Sequence, residues 1–199
     1  MKIIGFTGQT GVGKTTALQG IKMLGGEILD CDALYAQVLR EDTGLKTALC
    51  DEFCDILNEN DEIDRKKLGS IVFEDPVALE RLNGITLPVM KKYVENTLAN
   101  WKEMGYTIVA IDAILLIESG LVEICDATIA ITAPQNLRLV RIMKRDGISE
   151  EYARNRIKSQ KSEEFYIENC DYQLRNDHFR AEDFSVEALE LLKTMVTHQ

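Results

Sequence analysis

The chain has 199 residues, 45% of them hydrophobic, which is enough for one substantial core with small additions. Its formal net charge of −10 argues against a general nucleic-acid-binding surface. No apolar run approaches the ~20 residues of a membrane span, and the first residues lack a signal-peptide pattern, so we expect a cytoplasmic protein without a membrane partner.

Five cysteines stand at irregular spacings, which is typical of reduced thiols in a reducing compartment. Cys50 and Cys54 are four residues apart on one face of a predicted helix, and we interpret them as packing residues rather than metal ligands. The two histidines, His178 and His198, come late and are isolated in sequence. We therefore expect no zinc site.

The segment Gly8–Thr15 satisfies the pattern G-x-x-x-x-G-K-[ST]. A short apolar run, Lys2–Thr7, precedes it as a predicted strand, and Thr16–Leu24 follows as a predicted amphipathic helix. Strand, glycine loop and helix together predict a phosphate site, because the loop turns its N–H groups inward at a helix N-terminus. The nucleotide-binding residues that we predict here are Gly8, Gly11, Val12, Gly13, Lys14, Thr15 and Thr16.

Two residues of this loop carry specific chemistry. We expect Lys14 to reach the β- and γ-phosphates of the nucleotide and the Thr15 hydroxyl to ligate Mg²⁺. The alternative is an ordinary glycine-rich turn or a variant dinucleotide loop, since Gly11-Val12-Gly13 also contains G-x-G. That alternative gives Lys14-Thr15 no purpose, so we favour the phosphate site.

Five apolar runs alternate with helical patterns, which predicts an α/β fold with a doubly wound, five-stranded parallel sheet. The predicted strands are Lys2–Thr7, Glu27–Asp30, Thr107–Ile111, Ala127–Thr132 and Tyr172–Leu174. With the phosphate loop, this pattern is that of a P-loop NTPase. We assign residues 1–32, 104–134 and 161–199 to this nucleotide-binding core.

Two helical segments interrupt the core. Residues 33–103 are predicted to form a helical lobe that binds the acceptor, the substrate that would receive a phosphoryl group from the nucleotide. Residues 135–160 are predicted to form an Arg-rich lid with a turn at Asp146-Gly147. Asp64 and Asp75 are predicted N-caps of the helices that follow them. The predicted helices of the lobe are Ala33–Arg40, Leu45–Phe53, Arg65–Val72, Pro76–Gly84 and Pro88–Glu103.

Carboxylates follow the second and third predicted strands, at the sheet edge where such folds bind their ligands. Asp32 is a candidate base that accepts the proton of an acceptor hydroxyl, and Asp30 is a supporting or Mg²⁺-organising group. The alternative is that Asp32 caps the helix beginning at Ala33. Asp112 is a candidate ligand of Mg²⁺ or of its waters, and otherwise closes a turn. Ala113 stands where mechanical ATPases usually need a Glu, which argues against hydrolysis as the purpose.

Arg138, Arg141 and Arg145 are spaced three and four residues apart, so they share one face of a predicted helix in the lid. Guanidinium groups on a moving segment can meet the charge that develops on a transferred phosphoryl group. The alternative is a solvated basic face that pairs with the many acidic residues of this chain.

Three further residues are candidate ligand contacts. Arg65 opens a predicted helix of the lobe and is placed to hold an anionic part of the acceptor. Glu118, after the third strand, is a candidate acceptor contact. Asn176 follows the fifth strand and either contacts the adenine or caps a turn.

Taken in order, these segments resemble the dephospho-coenzyme A kinase family over nearly the whole chain. The loop alone is generic to a large superfamily, whereas the ordered set is much more specific. The matching segments are Gly5–Gly8 with Gly13-Lys14-Thr15, Asp30-Cys31-Asp32, Ile63–Leu68, Val72-Phe73, Leu82-Asn83, Asp112 with Leu115-Leu116, Glu118-Ser119-Gly120, Arg141, Arg145-Asp146-Gly147, Arg156-Ile157 with Gln160, Asp171 and Asn176.

The resemblance implies an ATP- and Mg²⁺-dependent phosphotransferase with an alcohol acceptor. It would phosphorylate the ribose 3′-hydroxyl of dephospho-coenzyme A, giving coenzyme A and ADP, the last step of coenzyme A biosynthesis. The implied roles are proton acceptor for Asp32, stabilisation of transferred charge for Lys14 and Arg141, and acceptor binding for Arg65. The oligomeric state stays open between a monomer and a small homo-oligomer.

Two positions depart from the family pattern: Ala36 stands where an Arg is frequent, and Leu87 where a His is common. Both fall in the acceptor lobe, so they bear on acceptor affinity or identity rather than on phosphoryl transfer.

The alternative functions are those of a nucleoside or nucleoside-monophosphate kinase and of a non-catalytic nucleotide switch. A GTP switch would need N-K-x-D, which the sequence does not contain.

Overall fold

The structure is a computed structural model that describes residues 1–72 and 75–197. Phe73 and His198, both named above, lie outside the described residues. The chain forms two compact units: Met1–Asp30 together with the chain from Trp101 onward, and Cys31–Asn100. None of the helices in the described ranges combines the length and apolarity that crossing a membrane requires.

The first unit is built on one sheet of five parallel strands in the order β2-β3-β1-β4-β5. The strands are β1 (Lys2–Thr7), β2 (Glu27–Asp30), β3 (Ile108–Asp112), β4 (Ala127–Thr132) and β5 (Tyr172–Arg175). The predicted five-stranded parallel sheet is therefore confirmed, and no strand end differs from the prediction by more than one residue. Because all strands are parallel, their carboxyl ends meet at a single edge.

Helices follow the strands in alternation, with a run of four between β2 and β3. They are α1 (Lys14–Met23), α2 (Cys31–Glu41), α3 (Thr43–Glu52), α4 (Arg65–Val72), α5 (Pro76–Glu103), α6 (Gln135–Asp146), α7 (Glu150–Lys158), α8 (Glu163–Glu168) and α9 (Ala181–Thr197). Both predicted N-caps are confirmed. The Asp64 carboxylate accepts from the backbone N–H of Lys66 and the Asp75 carboxylate from that of Val77, each at 2.8 Å.

The core of the first unit lies between the sheet and helices α1 and α9. Ile4 and Phe6 of β1 are fully buried, as are Ile129 and Ile131 of β4, and Phe184 of α9 packs in the same cluster. Every residue of β4 is buried, which explains why this strand reads as a continuous apolar run. This packing fixes the sheet edge from which the phosphate loop emerges.

The second unit is helical, with its own core formed by residues of α2 to α5 and the turn before α4, including Val38, Leu49, Ile56, Leu68 and Met90. The prediction of two helices, Pro76–Gly84 and Pro88–Glu103, is wrong, since α5 runs without interruption through Pro88. The ring of a helical proline crowds the carbonyl group four residues earlier. Here that residue is Gly84, and the helix continues on both sides with Thr86 and Met90 buried.

Other helix ends differ from the prediction by one or two residues, and two of these differences affect residues named above. Helix α2 begins at Cys31 rather than Ala33, which places Asp32 inside its first turn and not at the N-cap position. Helix α3 ends at Glu52, so Cys54 lies beyond it, exposed to solvent, and does not share a helix face with Cys50. All five cysteines are free thiols.

Helices α6 and α7 form a hairpin, with the predicted turn at Asp146-Gly147. Gly147 ends α6 in the left-handed conformation, with φ of 64°. Leu139 and Ile142 of α6 pack against Ala153 and Ile157 of α7 in a small buried cluster. The hairpin is thus held by apolar contacts as well as by the charged groups on its surface.

Candidate active site

The loop between β1 and α1 adopts a conformation that requires glycine. Gly8, Gly11 and Gly13 have φ values of 140°, 79° and 101°, which side-chain-bearing residues rarely adopt. Space is limiting as well: a Cβ on Gly8 would lie 2.2 Å from the carbonyl oxygen of Ile131, and one on Gly13 would lie 2.4 Å from Asn176 Nδ2. The loop is therefore pressed against its surroundings on its outer side.

A buried arginine holds the start of this loop. Arg138 of α6 is only 3% exposed, and its Nε donates to the carbonyl oxygen of Thr10 at 3.0 Å. Its Nη1 donates to Gln9 Oε1, and its Nη2 to Gln160 Oε1 at 3.2 Å. The Gln160 oxygen also accepts from the Thr10 N–H at 3.0 Å. Burial lowers the pKa of Arg138, and three neutral oxygens accept hydrogen bonds from its guanidinium, one each from Nε, Nη1 and Nη2.

The next two carbonyl groups of the loop are held in the same way. Arg141 Nη1 donates to the carbonyl oxygens of Gly11 at 3.3 Å and Val12 at 3.4 Å. Its Nη2 donates to Asn176 Oδ1 at 3.1 Å and to the carbonyl oxygen of His178 at 2.8 Å. Asn176 Nδ2 completes the set with a 2.7 Å bond to the Val12 carbonyl.

These bonds bear on how the loop binds anions. The carbonyl oxygens of residues 10–12 all accept hydrogen bonds from side chains of α6 or of the segment after β5. Carbonyl oxygens fixed on the outside keep their negative dipole ends away from a ligand and favour inward-facing N–H groups. The loop is therefore held in one shape before any ligand binds.

Beyond the loop, the structure brings residues that were predicted to bind phosphate or Mg²⁺ to one cavity. Thr15, Asp30 and Asp112 line a cavity of about 620 Å³ together with residues of α1 and β2. Asp30 and Asp112 are directly paired neighbours at the carboxyl ends of β2 and β3. Lys14 Nζ lies 2.9 Å from Asp112 Oδ1.

The Asp112 carboxylate has the Lys14 ammonium as its charged neighbour. Its Oδ1 is buried and, among the described residues, accepts no hydrogen bond of acceptable geometry, even with the Lys14 ammonium in ion-pair contact. A hydroxyl and carboxylates that share one cavity are hard oxygen ligands, which is the donor set that Mg²⁺ prefers. The described residues contain no cluster of three metal-ligating side chains.

Other predicted site residues lie elsewhere. Arg145 Nη2 approaches the Thr10 hydroxyl at 3.5 Å, so Arg145 lies beside the phosphate loop. Burial and, to a smaller extent, the charge of Glu118 raise the pKa of Tyr166 in α8, so Glu118 lies near that helix. In the helical unit, the Arg65 guanidinium lies over the Tyr35 ring at 5.8 Å. The contacts of Asp32, Arg65 and Glu118 with an acceptor stay predictions.

Sequence reasoning missed Gln9, which is 7% exposed and links Arg138 to the carbonyl oxygen of Lys161 through a 2.7 Å bond from its Nε2. It occupies a variable position of the loop pattern, so no local signal marks it. Gln160 entered only as part of a matching segment, and Asp146 only as part of such a segment and of a predicted turn. Their roles depend on contacts that span up to 150 residues of sequence.

Comparisons with known proteins agree with this geometry. The sequence profile of the Dephospho-CoA kinase family matches residues 2–182. A protein of Dehalococcoides mccartyi named Dephospho-CoA kinase is 38% identical over 161 residues, which are 80% of this chain and 81% of that protein.

Solved structures give the same result. The crystal structure of TT1252 from Thermus thermophilus superposes with a TM-score of 0.82 at 28% identity over 98% of both chains. The dephospho-CoA kinase of Campylobacter jejuni gives a TM-score of 0.71 at 27% identity, again over 98% of both chains. On the strength of the profile match and of these relatives, the chain belongs to the dephospho-CoA kinase family.

Proposed function

We propose that this chain transfers the γ-phosphoryl group of ATP to the ribose 3′-hydroxyl of dephospho-coenzyme A, giving coenzyme A and ADP. Membership of the dephospho-CoA kinase family supports this reaction. The observation that carries it in the structure is a braced phosphate loop whose Thr15 shares one cavity with Asp30 and Asp112. The net charge of −10 also fits small anionic substrates bound at a local positive site better than nucleic acid.

The transfer breaks the bond between the γ-phosphorus and the bridging oxygen of ADP and forms a bond from that phosphorus to the acceptor oxygen. The proton of the acceptor hydroxyl must leave, and we assign it to the Asp32 carboxylate. Asp32 lies in the first turn of α2, two residues beyond Asp30 at the end of β2. Support for this role comes from that position and from the D-x-D segment.

Lys14 and Arg141 are proposed to stabilise the charge on the phosphoryl group. Lys14 begins α1, so its ammonium and the helix N-terminus act on the same anion. The Arg141 donors are engaged by the loop and by the segment after β5. For direct contact with the phosphoryl group, Arg141 would have to exchange one of these bonds. Otherwise it acts through the loop.

We propose that Thr15 and Asp112 hold Mg²⁺ or its waters. The ion would neutralise charge on the phosphate oxygens and fix their orientation. The buried Asp112 Oδ1 without a hydrogen bond supports this assignment, as does the oxygen-only donor set. Thr15 follows Lys14 on α1, so both side chains are positioned by the same helix turn.

Arg65 of the helical unit and Asp30 and Glu118 of the first unit are proposed as contacts of the acceptor. Ala36 and Leu87 lie on α2 and α5 of the helical unit. If other side chains compensate at these two positions, dephospho-coenzyme A remains the preferred acceptor.

The test is a comparison of acceptors with purified protein, ATP and Mg²⁺. We expect ADP to form with dephospho-coenzyme A and the product to carry a new 3′-phosphate, measured by coupled ADP detection and mass spectrometry. ADP formation with a nucleoside monophosphate but not with dephospho-coenzyme A would reject this acceptor and keep phosphoryl transfer. ATP consumption without any acceptor would reject both.

A further inference from the structure

The carboxylate of Asp146, the last residue of α6, binds two arginines from the two helices of the α6–α7 hairpin. Arg145 donates to it twice, from Nε at 2.7 Å and from Nη2 at 2.9 Å, in the paired geometry that fits a guanidinium to a carboxylate. Arg156 of α7 donates from Nη1 to Asp146 Oδ2 at 2.7 Å. One acidic group therefore holds two cationic groups side by side.

This cluster of Arg145, Asp146 and Arg156 carries two positive charges and one negative charge, and so a net positive charge in a chain whose total is −10. The contacts keep the groups ionised. The hydrogen bond from Arg145 lowers the pKa of Asp146, and the same bond raises that of Arg145. Two guanidinium groups this close repel each other unless an anion lies between them.

The cluster lies beside the phosphate loop. Arg145 Nη2 approaches the hydroxyl of Thr10, the third residue of the loop pattern, at 3.5 Å. With Nε and Nη2 turned to Asp146, the Nη1 group of Arg145 donates to no acceptor in the described part of the chain. Its two N–H groups are available to a ligand next to the loop.

We propose that Asp146 is a positioning residue that holds Arg145 and Arg156 together so that both present their remaining N–H groups to the polyphosphate of the bound nucleotide. Holding the donors in place before binding lowers the ordering cost of binding. The inference rests on the nucleotide binding in the proposed function, and not on the identity of the acceptor.

The simpler hypothesis is that Asp146 only stabilises the contact between α6 and α7. The hairpin already has buried contacts for that purpose, from Leu139 and Ile142 to Ala153 and Ile157. Both arginine side chains are about half exposed, and ion pairs that solvent reaches contribute little to stability. Ion pairs of this kind stabilise the hairpin less than the apolar cluster does. Orienting two arginine side chains, in contrast, needs only the hydrogen bonds that Asp146 already makes to them.

The variant Asp146→Asn tests the proposal because a positioning role and a mere change of net charge predict opposite changes in ATP affinity. Removing an acidic group near an anion site should tighten ATP binding or leave it unchanged if only overall charge matters. If Asp146 positions the arginines, ATP binding should instead weaken by on the order of tenfold. Titration calorimetry with ATP and Mg²⁺, in the absence of any acceptor, measures this without depending on the transfer reaction.

Glu150→Gln is the matched control, since Glu150 is an exposed acid of the same hairpin that pairs with Arg154 and does not contact the cluster. We expect it to change ATP affinity by less than about twofold. A double-mutant cycle adds the second test: in an Arg145→Gln background, Asp146→Asn should lose part of its effect on ATP binding, because only Arg156 is then left for Asp146 to position.

The conservative variant Asp146→Glu, which keeps the charge on a longer side chain, should recover part of the affinity. Unchanged or tighter ATP binding by a folded Asp146→Asn protein would overturn the proposal, and so would full additivity with Arg145→Gln. A protein that binds ATP as expected but does not phosphorylate dephospho-coenzyme A would reject the proposed function and leave this inference intact.

Discussion

Arg138 donates from Nε to the carbonyl oxygen of Thr10 at 3.0 Å, so a buried cation of α6 holds the outer side of the phosphate loop. A buried charge is tolerated only when its donors are satisfied, and here the acceptors are the loop itself, Gln9 and Gln160. The positive charge also lies behind a site that must attract phosphate. Arg138 therefore fixes the conformation of the loop and adds to the positive electrostatic potential there.

We expect Arg138→Met to lower the free energy of unfolding by about 2–4 kcal/mol, because it leaves the Thr10 carbonyl oxygen and Gln9 Oε1 without this donor and takes one of two donors from Gln160 Oε1. ATP affinity should fall as well. Urea unfolding followed by circular dichroism gives the first quantity and calorimetric titration the second.

Arg154→Met is the control for that change, since Arg154 is a half-exposed residue of α7 paired with Glu150. Its effect on the free energy of unfolding should stay within about 0.5 kcal/mol. An Arg138→Met protein as stable as the parent would mean that water or a rearranged side chain replaces the guanidinium.

The strands and the strand-end site were predictable because both follow from local patterns. Runs buried on both faces read as continuous apolar segments, and parallel strands bring residues such as Asp30 and Asp112 to one edge. The helix prediction was wrong at Pro88 because the packing of α5, which buries Thr86 before the proline and Met90 after it, outweighed the local effect of proline.

The bracing of the loop was not predictable in the same way. The spacing of Arg138, Arg141 and Arg145 predicted their shared helix face, but no local pattern distinguishes an arginine that grips a loop from one that faces solvent. The difference lies in contacts with Thr10, Gly11 and Val12, about 130 residues away in sequence. Only the assembled fold reveals them.

We expect Lys14→Ala to reduce turnover at least ~100-fold and to weaken ATP binding, because it removes the ammonium beside the phosphate groups. The Lys14 side chain is largely buried, with its Nζ 2.9 Å from Asp112 Oδ1, so its position is fixed. Steady-state kinetics at varied ATP separates the two effects. Lys102→Ala is the control, since Lys102 lies in the last turn of α5, before the amino end of β3, at the opposite edge of the sheet. Near-parental turnover in Lys14→Ala would contradict the phosphate site.

We expect chelation of Mg²⁺ to abolish turnover and added Mg²⁺ to restore it. Asp112→Asn should raise the Mg²⁺ concentration for half-maximal rate by about tenfold, because an amide is a weaker ligand than a carboxylate and the buried Oδ1 loses its charge. Magnesium titrations of the rate measure this shift. Asp183→Asn on α9, which is exposed, should behave like the parent. An unchanged Mg²⁺ requirement in Asp112→Asn would place the ion elsewhere.

We expect the thiols to differ in alkylation. Burial raises the pKa of Cys125 to about 12, so at pH 8.5 its thiolate fraction is on the order of one in a thousand or less. Iodoacetamide should therefore modify the exposed Cys54 and leave Cys125 unmodified, as measured by peptide mass spectrometry. Because the folded pKa is raised, the Cys125 rate should climb about tenfold per pH unit up to that value. Equal rates at pH 8.5 would show that Cys125 is accessible and ionised.

Asp32→Asn separates proton acceptance from helix stabilisation. We expect this variant to bind ATP like the parent and to lose at least ~100-fold in turnover, because the amide keeps the side-chain shape but cannot accept the hydroxyl proton. An acid in the first turn of α2 also interacts favourably with the helix dipole, which is worth only about 0.3–1 kcal/mol. Asp51→Asn on α3 is the matched control, an exposed acid of the same unit whose loss should not affect turnover. Thermal unfolding of both variants reports stability separately, so a normal rate in Asp32→Asn with a slightly lower melting temperature would leave Asp32 only its contribution to the helix.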